Sequence, residues 1–170
     1  RGGILSGEAG DANNVTAKVV ITPETSLNVR EVRVVTPSGV SNPLGLNVSH
    51  FREISEQTSN HSTNDAQAIE FPVGISGVIR EPSEVDYFRF NATKGQELIF
   101  DVLAFRSGSS LDSSLAVLNS AGQELARSED AKGFDSLIKF VVPMEGDYFL
   151  QLRDFRYEGS TNHKYHLTGG

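Results

Sequence analysis

The stretch DYFRFNATKGQELIFDVLA, residues 86–104, decides the fold of this chain. Apolar and polar side chains alternate on both sides of a Thr-Lys-Gly turn at residues 93–95, so each half presents one apolar face. Two sets of residues form these faces: Phe88 with Phe90, and Leu98 with Phe100, Val102 and Ala104. Alternation of this kind predicts two antiparallel strands with one side against a core.

The same pattern extends along the chain to its C-terminus. Short alternating runs separated by turn residues predict further strands near 69–71, 74–79, 115–118, 124–128, 137–142, 147–153 and 164–167. Strands of this length and spacing are typical of a β-sandwich or barrel. We expect its core to contain Phe88, Phe90, Phe100, Val102, Tyr148 and Leu150.

The first third of the chain has a different organisation. Residues 15–21, 29–35 and 44–48 read as three strands, and the Pro-Ser-Gly sequence at 37–39 predicts a turn. An almost entirely polar stretch, 53–65, then favours a linker. The sequence therefore predicts a β segment at 1–50, a polar linker at 51–66 and a sandwich at 67–170.

Composition excludes several classes of function. The formal net charge of −7, the pI near 5.1 and the scattered basic residues argue against binding to nucleic acid or to an anionic membrane. No apolar run approaches the roughly 18 residues of a membrane span, so we expect no membrane insertion. The absence of cysteine excludes disulfides and thiolate metal sites. The sequence begins at Arg1, which we interpret as a processed or excised piece of a longer protein.

An ordered set of short motifs resembles a known family. The segments AQAI (66–69), EVDYFRF (84–90), KGQEL (94–98), LDSSL (111–115) and GDYFLQL (146–152) follow one another as in the bacterial pre-peptidase C-terminal domain. That family is related in fold to collagenase collagen-binding domains. Residues 4–48 resemble the C-terminal part of a bacterial immunoglobulin-like repeat of the IPT/TIG type, on the sequence VRVVTPSGVSN at 32–42. A complete domain of that type needs about seven strands, and only three are predicted.

These resemblances imply an all-β chain, in which an antiparallel jelly-roll-like β-sandwich follows an incomplete immunoglobulin-like segment. They imply a non-catalytic accessory module of a larger exported bacterial protein, with a spacer, solubility or weak adhesion role. The alternative is a module that binds carbohydrate or extracellular matrix. Expected partners are neighbouring domains of the parent chain and a polysaccharide or matrix protein, and the expected location is extracellular, cell-surface or periplasmic. An enzyme domain is the third hypothesis, but the sequence supports no nucleophile–base pair and no carboxylate dyad for it.

Calcium is the only cofactor for which the sequence suggests ligands. In the collagen-binding relatives, an acidic opening and the Asp before the aromatic pair surround a calcium ion. In this chain Glu56, Asn60 and Asp86 keep oxygen ligands at those positions, whereas Thr58 replaces a carboxylate and His61 replaces a further oxygen ligand. Because calcium affinity falls with the number of charged oxygens, we expect weak, millimolar binding or an ordinary polar linker.

Three other groups of residues are weaker candidates. Phe155, Arg156 and Tyr157 on one loop could stack on a sugar or bind a peptide, although packing at the edge of the fold explains them better. Of the aromatics in the loops, we expect only Tyr157 to be exposed. The acidic group Glu129, Asp130 and Asp135 could hold a cation, but such residues are first of all turn formers. His163 and His166 are three apart on a predicted strand, hence on opposite faces, and do not predict a shared metal.

Overall fold

The computed structural model describes residues 7–9, 15–17, 19, 21–22, 25 and 29–170. They fall into two compact units, Arg1–His50 and Phe51–Gly170. No helix in the described part of the chain is long and apolar enough to cross a membrane.

The first unit consists, where it is described, of short antiparallel pairs. These are β1 (Gly7–Ala9) with β2 (Val15–Ala17), β3 (Val29–Val32) with β6 (Leu44–Asn47), and β4 (Val35–Thr36) with β5 (Gly39–Val40). Pro37 and Ser38 form the turn of the β4–β5 hairpin, and Gly39 takes a positive φ of 143° there. The rest of the predicted segment 1–50 lies outside the described residues. The immunoglobulin-like interpretation of this unit stays a prediction.

The second unit is a sandwich of two five-stranded sheets. The first sheet has the order β13 (Glu124–Ser128), β12 (Ser113–Asn119), β15 (Gly146–Asp154), β10 (Val85–Ala92) and β8 (Gln67–Ala68). The second has the order β14 (Leu137–Val141), β11 (Glu97–Leu103), β16 (Lys164–Gly169), β9 (Val73–Val78) and β7 (Arg52–Ser55). A single 3-10 turn, Phe105–Ser107, follows β11. The predicted all-β sandwich is confirmed.

Aromatic side chains fill the space between the sheets, as the alternation predicts. Phe90 is 2% exposed, and its ring centroid lies 5.1 Å from that of Phe71, 5.6 Å from that of Phe100 and 5.7 Å from that of Tyr148. Rings at such distances pack with tilted or offset faces and stabilise the core beyond the area they bury. Every member of the predicted core is buried in this cluster: Phe88, Phe90, Phe100, Val102, Tyr148 and Leu150.

The prediction of a linker at 51–66 is wrong. Arg52–Ser55 form the edge strand β7, which runs parallel to β9, and Asn60 is fully buried. β8, which ends the other sheet, likewise runs parallel to its neighbour β10. One edge strand of each sheet therefore departs from the antiparallel pairing expected from the sequence. The reason is that an edge strand needs few apolar residues: in β7 only Ile54 packs against the core, and the polar remainder resembles a linker.

The strand register brings several connections to one end of the sandwich. Val85 pairs with Arg153, Ser113 with Asp154, and Lys164 with Val78. The segments 79–84, 104–112 and 155–163 therefore lie together, and we refer to this part of the second unit as the loop end. The polar residues considered below are concentrated there.

Candidate metal centre

Asp86 lies on the inner face of β10, at the loop end of the core. Its side chain is fully buried, and one carboxylate oxygen, Oδ2, accepts a hydrogen bond of 2.6 Å from the Tyr165 hydroxyl. The other oxygen, Oδ1, is buried without a hydrogen-bond partner. Burial of an unpaired carboxylate oxygen is costly, so this atom suggests a ligand.

Tyr165 and Glu56 complete the inner side of the centre. The Tyr165 hydroxyl lies 2.8 Å from Glu56 Oε2 as well as 2.6 Å from Asp86 Oδ2, although it has only one proton to donate. Gly77 on β9 permits this approach, because a Cβ there would lie 2.3 Å from the Tyr165 hydroxyl oxygen and 2.4 Å from Glu56 Oε2. Two carboxylates thus lie at one hydroxyl, and Asp86 has no other hydrogen-bond donor than Tyr165 among the described residues.

Asn60 lies in the segment between β7 and β8 and is hydrogen-bonded to Tyr87, the residue next to Asp86. Its backbone N–H donates to the Gln57 carbonyl, its carbonyl accepts from Tyr87 N–H at 2.8 Å, and its Nδ2 donates to the Tyr87 carbonyl at 3.4 Å. The amide oxygen Oδ1 is nevertheless buried without a partner. Because the rest of Asn60 is anchored, this oxygen is held in place as a potential ligand.

His61 and Glu84 lie beside Asp86 and complete the group. One potential ligand atom from each of the three residues lies within 4.8 Å of the others. The His61 Nδ1 atom is 3.5 Å from Asp86 Oδ1. The backbone N–H groups of Arg80 and Glu81 each donate to Glu84 Oε2 at 2.8 Å, which fixes the orientation of that carboxylate.

The electrostatics of the group follow from its burial. Burial is the largest of the causes that raise the pKa of Asp86 to about 8, ahead of hydrogen bonding to Glu56 and the charges of Glu56 and Glu84. Burial also raises the pKa of Tyr165 well above its ordinary value, and the neighbouring carboxylates add to this. At neutral pH Asp86 therefore retains its proton unless a cation displaces it.

The structure brings two of the predicted ligands, Glu56 and Asp86, to the Tyr165 hydroxyl and hydrogen-bonds Asn60 to the neighbouring Tyr87, but it changes the role expected of Glu56. That carboxylate pairs with Arg80 and accepts hydrogen bonds from Val78 N–H and the Tyr165 hydroxyl. It therefore holds the surrounding groups rather than offering a free oxygen. Hydrogen bonding to Glu56 is the largest cause that raises the pKa of Arg80.

Glu84 is the residue that the sequence analysis missed. It stands at the first position of the motif Glu84-Val85-Asp86, where the family pattern has an acidic residue two positions before the Asp. The sequence contains this acidic residue, but the alternation around it predicts only a strand. The oxygens of Asn60, Glu84 and Asp86, together with backbone carbonyls or water, fit the donors that a divalent cation takes.

In the acidic group Glu129, Asp130 and Asp135, the structure gives Asp135 a different role. Asp135 is fully buried, and its carboxylate accepts hydrogen bonds from the backbone N–H groups of Ala104, Phe105 and Arg106 and from Arg106 Nε. All these partners are donors, so both oxygens are already satisfied. Asp135 holds the 3-10 turn against the sandwich.

The loop that carries Phe155, Arg156 and Tyr157 lies at the surface of the loop end. Tyr157 is 52% exposed with a positive φ of 60°, and the Arg153 guanidinium lies 4.3 Å from its ring centroid. Phe155 is 45% exposed, and the Arg156 side chain is exposed as well. Phe105 and Phe134 are also exposed. The expectation that Tyr157 alone would be exposed is wrong, because these loops project beyond the ends of both sheets.

The histidines of the C-terminal region do not form a shared site. His163 Nδ1 lies 2.8 Å from the Ser160 hydroxyl within one tight turn, and its Nε2 is buried without a partner. A catalytic serine would need an acid at that second nitrogen to orient the base, and none contacts it. His166 instead pairs with Glu53 at 2.9 Å.

A groove of about 760 Å³ lies at the open edge of the sandwich. It lies where β7 and β8 end their respective sheets, with Phe71 and Phe90 among its apolar lining residues. Arg52 and Arg89 line it as well.

Comparison with known families agrees with this architecture. Residues 84–154 match the family model of the bacterial pre-peptidase C-terminal domain. The resemblance predicted from the sequence is confirmed over these residues. The matched range begins at Glu84 and includes Asp86, whereas Asn60 and His61 lie before it.

Known proteins similar to this chain include one protease and two solved structures. A probable subtilase-type serine protease of Deinococcus radiodurans is 29% identical over 153 residues, which is 88% of this chain but 20% of that protein. The chain therefore spans about a fifth of that relative's length. The pre-peptidase C-terminal domain of a Bacillus anthracis collagenase, 17% identical, has a TM-score of 0.51 over 62% of this chain and 94% of that domain. This second likeness supports the fold alone.

The other solved structure is a periplasmic inhibitor of g-type lysozyme from Aeromonas hydrophila. It is 16% identical to this chain and has a TM-score of 0.48. The similarity covers 61% of this chain and 92% of the inhibitor.

Proposed function

We propose that this chain is a non-catalytic accessory module of a larger exported protein, and that a divalent cation fastens its sandwich. The observation that supports the cation is the buried, unpartnered oxygen Asp86 Oδ1 beside Glu84 and His61. Hydrogen-bond donors satisfy nearly all buried oxygens in native proteins, so an orphan in an acidic cluster favours a ligand of positive charge, and a second unpartnered oxygen belongs to Asn60, which is hydrogen-bonded to the adjacent Tyr87.

The position of the centre gives the cation a structural role. Asn60 belongs to the segment that leads from β7 in one sheet to β8 in the other, and Asp86 belongs to β10, which lies between β15 and β8. β8 is only two residues long, so few ladder hydrogen bonds hold this segment. An ion bound by both residues would cross-link the segment to the sandwich and stabilise the folded state.

The role as an accessory module is supported by the extent of the similarities. The chain aligns with one fifth of a probable subtilase-type protease, and its sandwich is of a type described as a pre-peptidase domain. We infer that catalysis belongs to other parts of the parent protein. Extracellular, cell-surface or periplasmic location follows from the same inference, with neighbouring domains of the parent chain as the first partners.

Calcium is expected to raise the melting temperature of the chain. For a ligand that binds only the folded state, ten times Kd stabilises by about 1.4 kcal/mol, which corresponds to a rise of several degrees. The measurement is a pair of thermal melts, one in chelator and one in about 10 mM calcium, a concentration suited to a site of millimolar affinity.

Two matched variants test whether the effect belongs to the centre. The Asp86→Asn variant should show no calcium-dependent rise. In chelator its melting temperature should be no lower than that of the wild type, because the amide replaces a buried carboxyl group. Asp147→Asn, at an exposed position of the same sheet, should keep the full rise. Equal melting temperatures of the wild type in chelator and in calcium would contradict the proposal.

A carbohydrate- or matrix-binding module is the second candidate function. The observation that favours it is the set of exposed aromatics at the loop end, where Phe155 and Tyr157 lie beside the exposed Arg156. Exposed aromatic side chains next to Arg are enriched where proteins bind partners. A small cavity of about 90 Å³ bounded by Phe105, Phe134 and Arg156 adjoins this surface.

Retention on insoluble polysaccharide or collagen is the expected result of this second candidate. Tyr157→Ala should reduce the retained fraction severalfold, because hot-spot aromatics typically contribute about 2 kcal/mol or more. Phe140→Leu, in the core and away from the loops, serves as the folded control. Passage of the wild-type chain through a panel of both materials without retention would eliminate this function and leave the accessory role untouched.

A further inference from the structure

His61 gives the centre a nitrogen donor at a position where the family resemblance implies oxygen. Its Nδ1 is one of the three potential ligand atoms that cluster within 4.8 Å, with the carboxylates of Glu84 and Asp86. The side chain is 46% exposed, so an ion arriving from solvent can reach it. A histidine at this position changes the type of donor atom from oxygen to nitrogen, in addition to changing the charge of the site.

The spacing between His61 and Asp86 suits two ligands of one ion. Their Nδ1 and Oδ1 atoms are 3.5 Å apart, and Oδ1 has no hydrogen-bond partner. Adjacent ligands at roughly 2.0–2.5 Å from a metal ion lie about 3–3.5 Å from one another.

Neighbouring groups hold the ligands in these positions. Asn60, next to His61 in the chain, is fixed by its hydrogen bonds to Gln57 and Tyr87. The Tyr165 hydroxyl binds Oδ2 of Asp86 and so leaves Oδ1 for an ion. Metal-binding side chains are characteristically oriented by such outer hydrogen bonds.

The donor set determines which ion is preferred. Calcium takes six to eight hard oxygen ligands, whereas zinc takes imidazole nitrogen and carboxylate oxygen in sites of four ligands. The cluster supplies one imidazole and two carboxylates, which leaves one position for water or for the amide oxygen of Asn60. We propose that this centre prefers a divalent ion that accepts nitrogen, for which zinc is the probe, over calcium. The inference rests on the cation site proposed above and adds the identity of its ion.

Calorimetric titration of the chain with zinc and, separately, with calcium tests the preference. Zinc is expected to bind with a Kd at least about tenfold lower than that of calcium. His61→Asn, which restores an oxygen donor, should weaken zinc binding by about tenfold or more and leave calcium binding within about twofold. In nitrogen-15 spectra, zinc should shift the Nδ1 resonance of His61.

A second histidine supplies the control for surface binding. His166→Asn removes an imidazole that pairs with Glu53, and it should leave the zinc affinity unchanged. The inference is overturned if zinc binds no more tightly than calcium, or if His61→Asn leaves zinc binding unchanged. In either case, a melting temperature that still rises with calcium would support the cation site itself. If neither ion binds, the cation site itself is refuted.

Discussion

Replacement of Phe90 by Ala is expected to lower the free energy of unfolding by about 3–5 kcal/mol. Phe90 is 2% exposed at the centre of the sandwich, in ring contact with Phe71, Phe100 and Tyr148. Its removal leaves a cavity that these rings cannot all close, so both transfer energy and packing are lost. Since domains are stable by only about 5–15 kcal/mol, the variant should unfold at a much lower urea concentration.

The matched control is Phe155→Ala, which removes the same side chain at a position that is 45% exposed. Its cost should stay below about 1 kcal/mol, because exposed substitutions of this kind rarely exceed that value. Urea unfolding followed by circular dichroism measures both variants. Equal losses at the two positions would show that Phe90 is not at the centre of the core.

Replacement of Asp135 by Ala is expected to cost about 3–5 kcal/mol, although the change is at a loop position in the sequence. The carboxylate is fully buried and accepts from three backbone N–H groups and from Arg106 Nε at 2.6 Å. Without it, three backbone N–H groups of the turn lose their acceptor, and the Arg106 guanidinium keeps only Asp101 and the Val102 carbonyl. The 3-10 turn Phe105–Ser107 should lose its fixed position.

Asp101→Ala is the control for this second prediction, because Asp101 also pairs with Arg106. Its side chain is 28% exposed, and it is shared with Lys132. A partly exposed ion pair contributes about 0–1 kcal/mol, so the loss should be small. The same urea experiment compares the two, and faster amide hydrogen exchange at residues 104–106 in Asp135→Ala alone would locate the effect. Loss of similar size in both variants would contradict the account of Asp135.

The sequence predicts the centre of the sandwich better than its edges. Phe88 and Phe90 alternate with polar residues, and this local pattern is enough to place them between two sheets. β7 has only Ile54 against the core, and it joins the sheet by pairing with β9, some twenty residues away. Pairing with a distant strand leaves no periodic pattern in the sequence, so the sequence alone predicts a linker at this segment.

The candidate site shows the same limit at the level of single residues. Asn60 lies in a polar stretch, and its burial depends on hydrogen bonds to Tyr87, 27 residues further along. The family resemblance predicts Asn60 and Asp86 as ligands. It does not show that the Glu56 carboxylate is already bound by Arg80 and the Tyr165 hydroxyl. The sequence predicts a turn-forming role for Asp135, because neither its burial nor its contact with Arg106 can be predicted from the neighbouring residues.

Determination of the structure of this chain in the presence of calcium tests the central claim most directly. The account predicts one ion bound by Asn60 Oδ1 and Asp86 Oδ1, at about 2.3–2.6 Å from each, with Glu84 as a further ligand. The Glu56 carboxylate should remain with Arg80 and the Tyr165 hydroxyl. A structure at saturating calcium in which these two oxygens contact only water or protein donors would contradict the account.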